Sequence, residues 1–132
     1  MEYGLYKGLT AKIESTVTRD DTADSFGSGG VKVLATPMMI GLMENAALSA
    51  VDTHLPGGYA TVGTRLDIKH IAATPIGMKV YATAELSRIE GKRLTFKVEA
   101  YDEKEKIGEG CHERYIINVK RFMQRITEKG IK

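Results

Sequence analysis

Ala35-Thr36-Pro37-Met38-Met39-Ile40-Gly41-Leu42-Met43-Glu44-Asn45-Ala46-Ala47-Leu48-Ser49-Ala50-Val51 is the stretch on which the reading of this chain turns. It predicts one helix. Thr36 is placed to cap its start, and Pro37 suits the first helical position, where a missing N–H costs nothing. The polar exceptions Asn45, Ser49 and Asp52 fall four and three apart and draw one narrow stripe. A helix apolar around most of its circumference belongs in an interior. Glu44 lies off that stripe, with Ile40, Ala47, Leu48 and Val51 as its neighbours at helical spacing. A carboxylate in such company needs a partner or has a task.

Working outward, residues 8–18 alternate loosely, with Leu9, Ala11, Ile13 and Val17 in one phase, and predict a strand. Residues 19–31 are charged and then Gly/Ser-rich, ending in Gly27-Ser28-Gly29-Gly30. They read as a flexible loop, either a plain connector or a flap beside a site. Leu55-Pro56-Gly57-Gly58 stops the helix near Thr53-His54, where His54 suits the C-terminal end as a structural or solvated cation. A strand follows over Thr61 to Ile71, with Leu66, Ile68 and His70 on one face and Asp67 and Lys69 on the other. Ala72 to Gly77 breaks the run. Met78–Ile89, Leu94–Tyr101 and Ile107–Val119 then alternate, joined by turns at Glu90-Gly91-Lys92-Arg93 and Asp102–Lys106. Two such hairpins imply an antiparallel sheet. Phe122, Met123 and Ile126 allow a short terminal helix. One flat sheet face cannot cover a helix apolar nearly all round, so the expectation is an α+β domain over 1–132 in which a curved sheet of about five strands wraps the helix, with room for a second subunit alongside.

Composition narrows the function classes. The 132 residues are 42% hydrophobic and 27% charged, and the net charge of +2 is too small to mark a nucleic-acid footprint. One cysteine, Cys111, excludes a disulfide framework, and His54, His70 and His112 lack zinc-like spacing, so no metal site is expected. No apolar run approaches a membrane span. Met1-Glu2-Tyr3-Gly4 has no basic-then-apolar pattern. The expectation is a cytoplasmic protein without a membrane or nucleic-acid partner.

The element order resembles the hotdog fold. A closer resemblance is carried by Ala35–Glu44, by Val62-Gly63-Thr64, by Lys69-His70-Ile71-Ala72-Ala73-Thr74-Pro75-Ile76-Gly77, by Ala84-Glu85-Leu86 with Glu90-Gly91-Lys92-Arg93-Leu94, and by Ile107-Gly108-Glu109-Gly110-Cys111-His112-Glu113-Arg114. Over residues of about 8 to 122 the chain is similar to the fluoroacetyl-CoA thioesterase-like family. The resemblance implies a homodimer with acyl-CoA sites at the subunit interface, with a dimer of dimers as a further possibility. It implies a catalytic Thr, Glu and His set, which maps by motif onto Thr36, Glu44 and His70, with Gly63 and Arg114 near the substrate. It implies no cofactor beyond the coenzyme A of the substrate itself. One departure stands out. A member selecting small fluorinated acyl groups is expected to close its site with bulky apolar side chains, whereas the loop before the helix offers Gly27-Ser28-Gly29-Gly30 with Phe26 alone nearby. The resemblance therefore carries over thioester hydrolysis and no particular acyl group.

Hydrolysis of a thioester needs a nucleophile, a group that manages protons, and donors for the oxyanion. A carboxylate held among apolar neighbours, as Glu44 is expected to be, is a general base near neutral pH or attacks the thioester itself. Its structural alternative is a pair with Arg114 or His70. His70 transfers protons or orients the carboxylate, or is a core histidine. Thr36 is a cap, a nucleophile or a positioning group beside the positive end of the helix. Gly63 lets backbone approach the thioester or marks a bulge. Arg114, on one face with His112, forms an ion pair or meets a CoA phosphate. Lys69, Lys120, Arg121 and Arg125 are candidates for diffuse phosphate contacts. Cys111 has no evident base and reads as structural. Thr36 and Glu44 lie eight positions apart on the predicted helix, roughly 12 Å at about 1.5 Å per residue. A nucleophile–base pair needs about 3 Å. If the two cooperate, Thr36 should meet Glu44 of the partner subunit. Two other functions fit the same surroundings: a hotdog hydratase or dehydratase, and an acyl-CoA-binding or sensing module without turnover.

Overall fold

A computed structural model describes residues 3–131, and the expectations resting on Met1, Glu2 and Lys132, including that for the extreme N-terminus, lie outside the described residues. The elements run β1 (Thr10–Thr16), a 3-10 turn (Arg19–Asp21), α1 (Ala23–Phe26), α2 (Thr36–Val51), a second 3-10 turn (Asp52–His54), β2 (Tyr59–His70), β3 (Lys79–Glu90), β4 (Arg93–Asp102), β5 (Lys106–Asn118) and α3 (Val119–Gly130). The five strands form one antiparallel sheet in the order β1-β3-β4-β5-β2. The two expected hairpins, β3–β4 and β4–β5, are its centre, and Gly91 with φ of 62° makes the first turn.

The expected central helix is α2. Its buried side chains Met39, Met43, Ala46, Ala47, Ala50 and Val51 join one core with Val80, Ala82, Ala84, Leu94, Phe96, Val98 and Ala100 of the sheet. Alanines on both sides, all essentially without solvent contact, let helix and strands approach closely. The opposite side of α2 is open in the single chain. Thr36, Pro37, Gly41 and Asn45 are exposed, and Ile40, Leu42, Glu44 and Leu48 are half-buried. The expectation of a fully buried Glu44 is thus corrected: its side chain is 38% exposed, because the sheet covers one side of the helix only.

Two other local expectations change. Thr36 is not the cap. Ala35 is, in extended backbone (φ −68°, ψ 139°), and its carbonyl accepts the amides of Met38 and Met39 at 3.0 and 3.1 Å. The Ala35 amide is itself held by the Asp21 carbonyl at 2.8 Å. Backbone bonds therefore start the helix one residue earlier, leaving Thr36 and Pro37 in its first turn with the Thr36 hydroxyl free for another partner. Residues 19–31 are not a plain flexible loop either. Asp21 accepts the Thr18 amide and hydroxyl at 2.8 Å each. The Ala23 amide donates to Val33, the Leu34 amide to Thr74, and Gly27 (φ 89°) closes α1. This cross-linked segment lies beside the end of β2.

Strand β2 is an edge. Its register against β5 slips between Gly63 and Arg65, leaving Thr64 as the extra residue of a bulge. Leu66, expected on an apolar inner face, is 46% exposed, because β2 is the edge of the sheet and no further strand or helix among the described residues covers that part of it. The terminal helix forms as expected, with Asn118 accepting the Arg121 amide at 3.0 Å.

Candidate active site

Two constellations of polar side chains meet α2. The first is at its start. Thr36 Oγ1 lies 2.7 Å from His70 Nδ1, joining the first turn of α2 to the last residue of β2. Strand β2 ends there because the chain leaves the sheet for Ala72–Pro75, where Thr74 is buried and donates to Asp102 at 2.9 Å. His70 Nε2 is buried and has no hydrogen-bond partner among the described residues. Burial holds the imidazole below its usual value of 6.5, with the Ala72 backbone working weakly the other way. In the tautomer whose Nδ1 accepts the Thr36 hydroxyl, the ring proton sits on Nε2, a buried donor with no acceptor among the described residues. An open cavity of about 350 Å³ adjoins this pair.

The second constellation lies two turns along the helix. Arg114 Nη1 approaches Glu44 Oε2 at 3.9 Å. The guanidinium is held from behind: Nε donates to Thr61 Oγ1 at 2.8 Å, Nη2 to the Thr61 carbonyl at 2.9 Å, and Nη1 to His112 Nε2 at 3.2 Å. Thr61 in turn donates its hydroxyl to Asp52 at 2.6 Å. His112, fully buried, lies 2.8 Å from the Arg65 carbonyl through Nδ1. That contact makes Nδ1 the protonated nitrogen and leaves Nε2 to accept from Arg114. Burial, and then the neighbouring Arg114 charge, hold His112 low, against the pull of the Arg65 carbonyl and Glu44. Gly63 completes the arrangement. A Cβ there would lie 3.0 Å from Glu44 Oε2 and 3.2 Å from His112 Cε1.

The structure thus brings Thr36 to His70, and Glu44 to Gly63 and Arg114, and it keeps the two groups apart within one chain. Thr36 finds His70 rather than Glu44 as its neighbour. Of the two readings given to it, Gly63 meets that of a bulge, which it flanks, and its missing side chain also leaves room beside the Glu44 carboxylate. Arg114 takes the ion-pair reading. Asp52, Thr61 and His112 were not singled out as site residues. Thr61 and His112 carry a signal in the sequence, as polar residues on the inward phase of a strand, whereas the link from Asp52 to Thr61 spans a turn that no periodicity reports. Cys111 is exposed and free. Among the described residues no group of three or more His, Cys, Asp or Glu is placed to hold a metal, and no helix is long and apolar enough to cross a membrane.

Comparison with known proteins places the fold and the family. A fluoroacetyl-CoA thioesterase from Streptantibioticus cattleyicolor is 42% identical over 98 residues, covering 74% of this chain and 70% of that protein. A solved fluoroacetyl-CoA thioesterase superimposes with a TM-score of 0.91 at 34% identity, over 97% of this chain and 99% of the other. A hot-dog-like protein from Thermanaerovibrio acidaminovorans shares the fold, with a TM-score of 0.86 at 23% identity over 96% and 93% of the two chains. The antiparallel sheet curved around α2 is a hotdog fold, and the chain is an enzyme of the thioester hydrolase class. More particularly, it belongs to the fluoroacetyl-CoA-specific thioesterase family, whose sequence model matches residues 17–120.

Proposed function

We propose that this protein hydrolyses small or medium acyl-CoA thioesters to the free acid and CoA at a site completed by a homodimer, without a cofactor beyond the substrate's own coenzyme A. The observation that carries the reading is the 2.7 Å contact of Thr36 Oγ1 with His70 Nδ1, with the opposite ring nitrogen buried and unpartnered. A nucleophile, a base, and a carboxylate behind the base form the general plan of triad chemistry. Among the described residues no carboxylate stands behind the ring at Nε2. Glu44 of the partner subunit supplies one, since Glu44 is half-exposed on the open side of α2 and makes no hydrogen bond with its side chain among the described residues.

In this scheme His70 Nδ1 takes the Thr36 hydroxyl proton as Oγ1 attacks the thioester carbon. The C–S bond breaks, and CoA leaves as the thiol with that proton. Water, deprotonated by His70, then cleaves the acyl-threonine ester, giving the acid and restoring Thr36. The positive end of α2 favours the oxyanion of both steps. Partner Glu44 accepts from His70 Nε2 and stabilises the imidazolium in each. The test is thiol release from a panel of acyl-CoAs. Free CoA with stoichiometric acid is the expected result. Tight binding without free CoA identifies a binding or sensing module, and hydration of an enoyl-CoA identifies a hydratase; either overturns the proposal.

A further inference from the structure

The run His70-Ile71-Ala72-Ala73-Thr74-Pro75 contains one residue that the reaction above leaves without a task. Between Ile71 and Lys79, Thr74 alone is buried in the single chain, with no exposed surface. Its hydroxyl donates to Asp102 Oδ2 at 2.9 Å. Asp102 ends β4, and its other oxygen, Oδ1, accepts the amides of Lys104 and Glu105 at 2.8 and 2.9 Å. Oδ1 thus holds the β4–β5 turn, and Oδ2 is left to Thr74. Burial works to raise the Asp102 carboxyl, but the Lys104 amide, the Thr74 hydroxyl and the Glu105 amide together keep it below the usual carboxylate range. The Thr74 hydroxyl therefore meets a charged acceptor, the stronger kind.

Thr74 is tied to both members of the reacting pair. Its carbonyl accepts the Leu34 amide at 2.8 Å, and Val33 and Pro75 pair beside it. Leu34 precedes the cap Ala35 and stands two residues before Thr36. In the other direction, Thr74 lies four residues beyond His70. The Ile71 amide between them donates to the Ile107 carbonyl at 2.7 Å, and Ile107 lies five residues past Asp102. A ring results, running from Ile71 through Ile107 and the β4–β5 turn to Asp102 and back to Thr74. Only the Thr74–Asp102 bond in this ring is made by side chains, so it is the link that a substitution can cut.

The reacting pair needs a fixed frame. Thr36 Oγ1 and His70 Nδ1 stand 2.7 Å apart on segments from different elements. A misplacement of about 1 Å in such a pair costs roughly 10²-fold in rate. We infer that Thr74 is a positioning residue of the hydrolase, whose hydroxyl, by its hold on Asp102, sets the His70 imidazole against the Thr36 hydroxyl. The inference rests on the thioesterase reading above. A valine at 74 fills the same space without desolvating a hydroxyl and a carboxylate, so the buried polar pair contributes position more than stability.

The experiment measures kcat and KM by thiol release, on whichever of acetyl-, butyryl- and hexanoyl-CoA the wild type turns over fastest. The variants are Thr74→Val, Thr74→Ala and Thr74→Ser, each alone and in a His70→Gln background, with thermal melts. Thr74→Val should lower kcat by about ten-fold or more with KM within about two-fold, and Thr74→Ser should restore most of the rate. In the His70→Gln background Thr74→Val should change the residual rate by less than about two-fold, because the group it positions is already gone. Thr74→Ala removes the hydroxyl without adding bulk, and gives the same reading if Thr74→Val does not fold. Wild-type kcat in a folded variant lacking the hydroxyl overturns the inference and leaves the thioesterase reading standing. So does a Thr74→Ser loss equal to that of Thr74→Val, or an undiminished loss in the His70→Gln background, which a general loosening of the fold would give. Loss of the fold in both Thr74→Val and Thr74→Ala makes Thr74 a folding residue and overturns the inference as well. Absence of thiol release from every substrate in the wild type overturns the thioesterase reading, and the inference falls with it.

Discussion

Glu44 Oε2 would stand 3.0 Å from a Cβ on residue 63, closer than carbon and oxygen pack comfortably, and glycine at 63 removes the conflict. The carboxylate is therefore held by an empty position as much as by the Arg114 guanidinium at 3.9 Å. Gly63→Ala should shift Glu44 by a few tenths of an ångström. A displacement of that size in a positioned carboxylate lowers kcat by about ten-fold with little change in KM. Steady-state kinetics on acyl-CoA, with a thermal melt showing the fold retained, checks this.

Thr36 and His70 should be removable separately with similar cost. Thr36→Val and His70→Gln are each expected to lower kcat/KM by roughly 10²–10⁴-fold, the range for loss of a nucleophile's base or of the nucleophile itself. Thr36→Ser keeps the hydroxyl and should retain most of the rate. Near-wild-type turnover in Thr36→Val would assign the attack to water or to Glu44.

The partner contribution can be tested by mixing. In a two-fold dimer, Thr36→Val and Glu44→Gln protomers leave one complete site in each heterodimer if the site is shared between subunits. Re-equilibrated one-to-one, the mixture should recover about a quarter of wild-type activity, since half the dimers are mixed and each has one of two sites whole. No recovery above the parent variants, with mixed dimers shown to form, places the whole site in one chain.

Acid should act through two histidines. Burial lowers both His70 and His112 below the usual 6.5. Each is charged more readily in the unfolded chain, so the unfolded state binds more protons and stability rises with pH across that window. Stability is fully present above pH 6.5 and falls as pH drops through the lowered folded values. The kcat/KM profile should carry an acid limb as well, because only neutral His70 accepts the Thr36 proton, and Glu44→Gln, which removes the partner carboxylate from Nε2, should move its midpoint to lower pH. Urea midpoints and rates from pH 4.5 to 8 check both. A rate limb whose midpoint is the same in Glu44→Gln would contradict the partner carboxylate behind His70.

Thr61 is the hinge of the second constellation. Thr61→Val removes the acceptor for Arg114 Nε and the donor to Asp52. A buried guanidinium left short of a partner costs about 1–3 kcal/mol, and Arg114 is nearly without solvent contact. Denaturant unfolding should show that loss.

The sequence carried the frame of this molecule well. Strands β3, β4 and β5 alternate cleanly between turns rich in Gly and charge, and the apolar composition of α2 marks it as the helix the sheet packs against, so period and composition agree. What it carried poorly were contacts fixed by long-range backbone geometry. Whether Thr36 caps α2 depends on the bond from Ala35 to Asp21, and its pairing with His70 crosses 34 positions. The exposure of Glu44 depends on which side of α2 the sheet covers, a fact of curvature rather than pattern. The family motifs gathered Thr36, Glu44, Gly63, His70 and Arg114, but not the supports Asp52 and Thr61, whose roles come from a turn between helix and edge strand.

The methyl groups of Ala46, Ala47 and Ala50 share a core with those of Ala82, Ala84 and Ala100, and the short distance they permit between helix and sheet reaches beyond stability. Thr36 and Glu44 ride on the same rigid rod, while His70 and Arg114 are fixed to the strands. Enlarging one of those alanines lifts the rod and alters both constellations together, at a packing cost of about 1–3 kcal/mol. Adaptation of the rate can therefore proceed through interior substitutions that touch no reacting group, with the thickness of the core acting as a tuning variable open to natural selection.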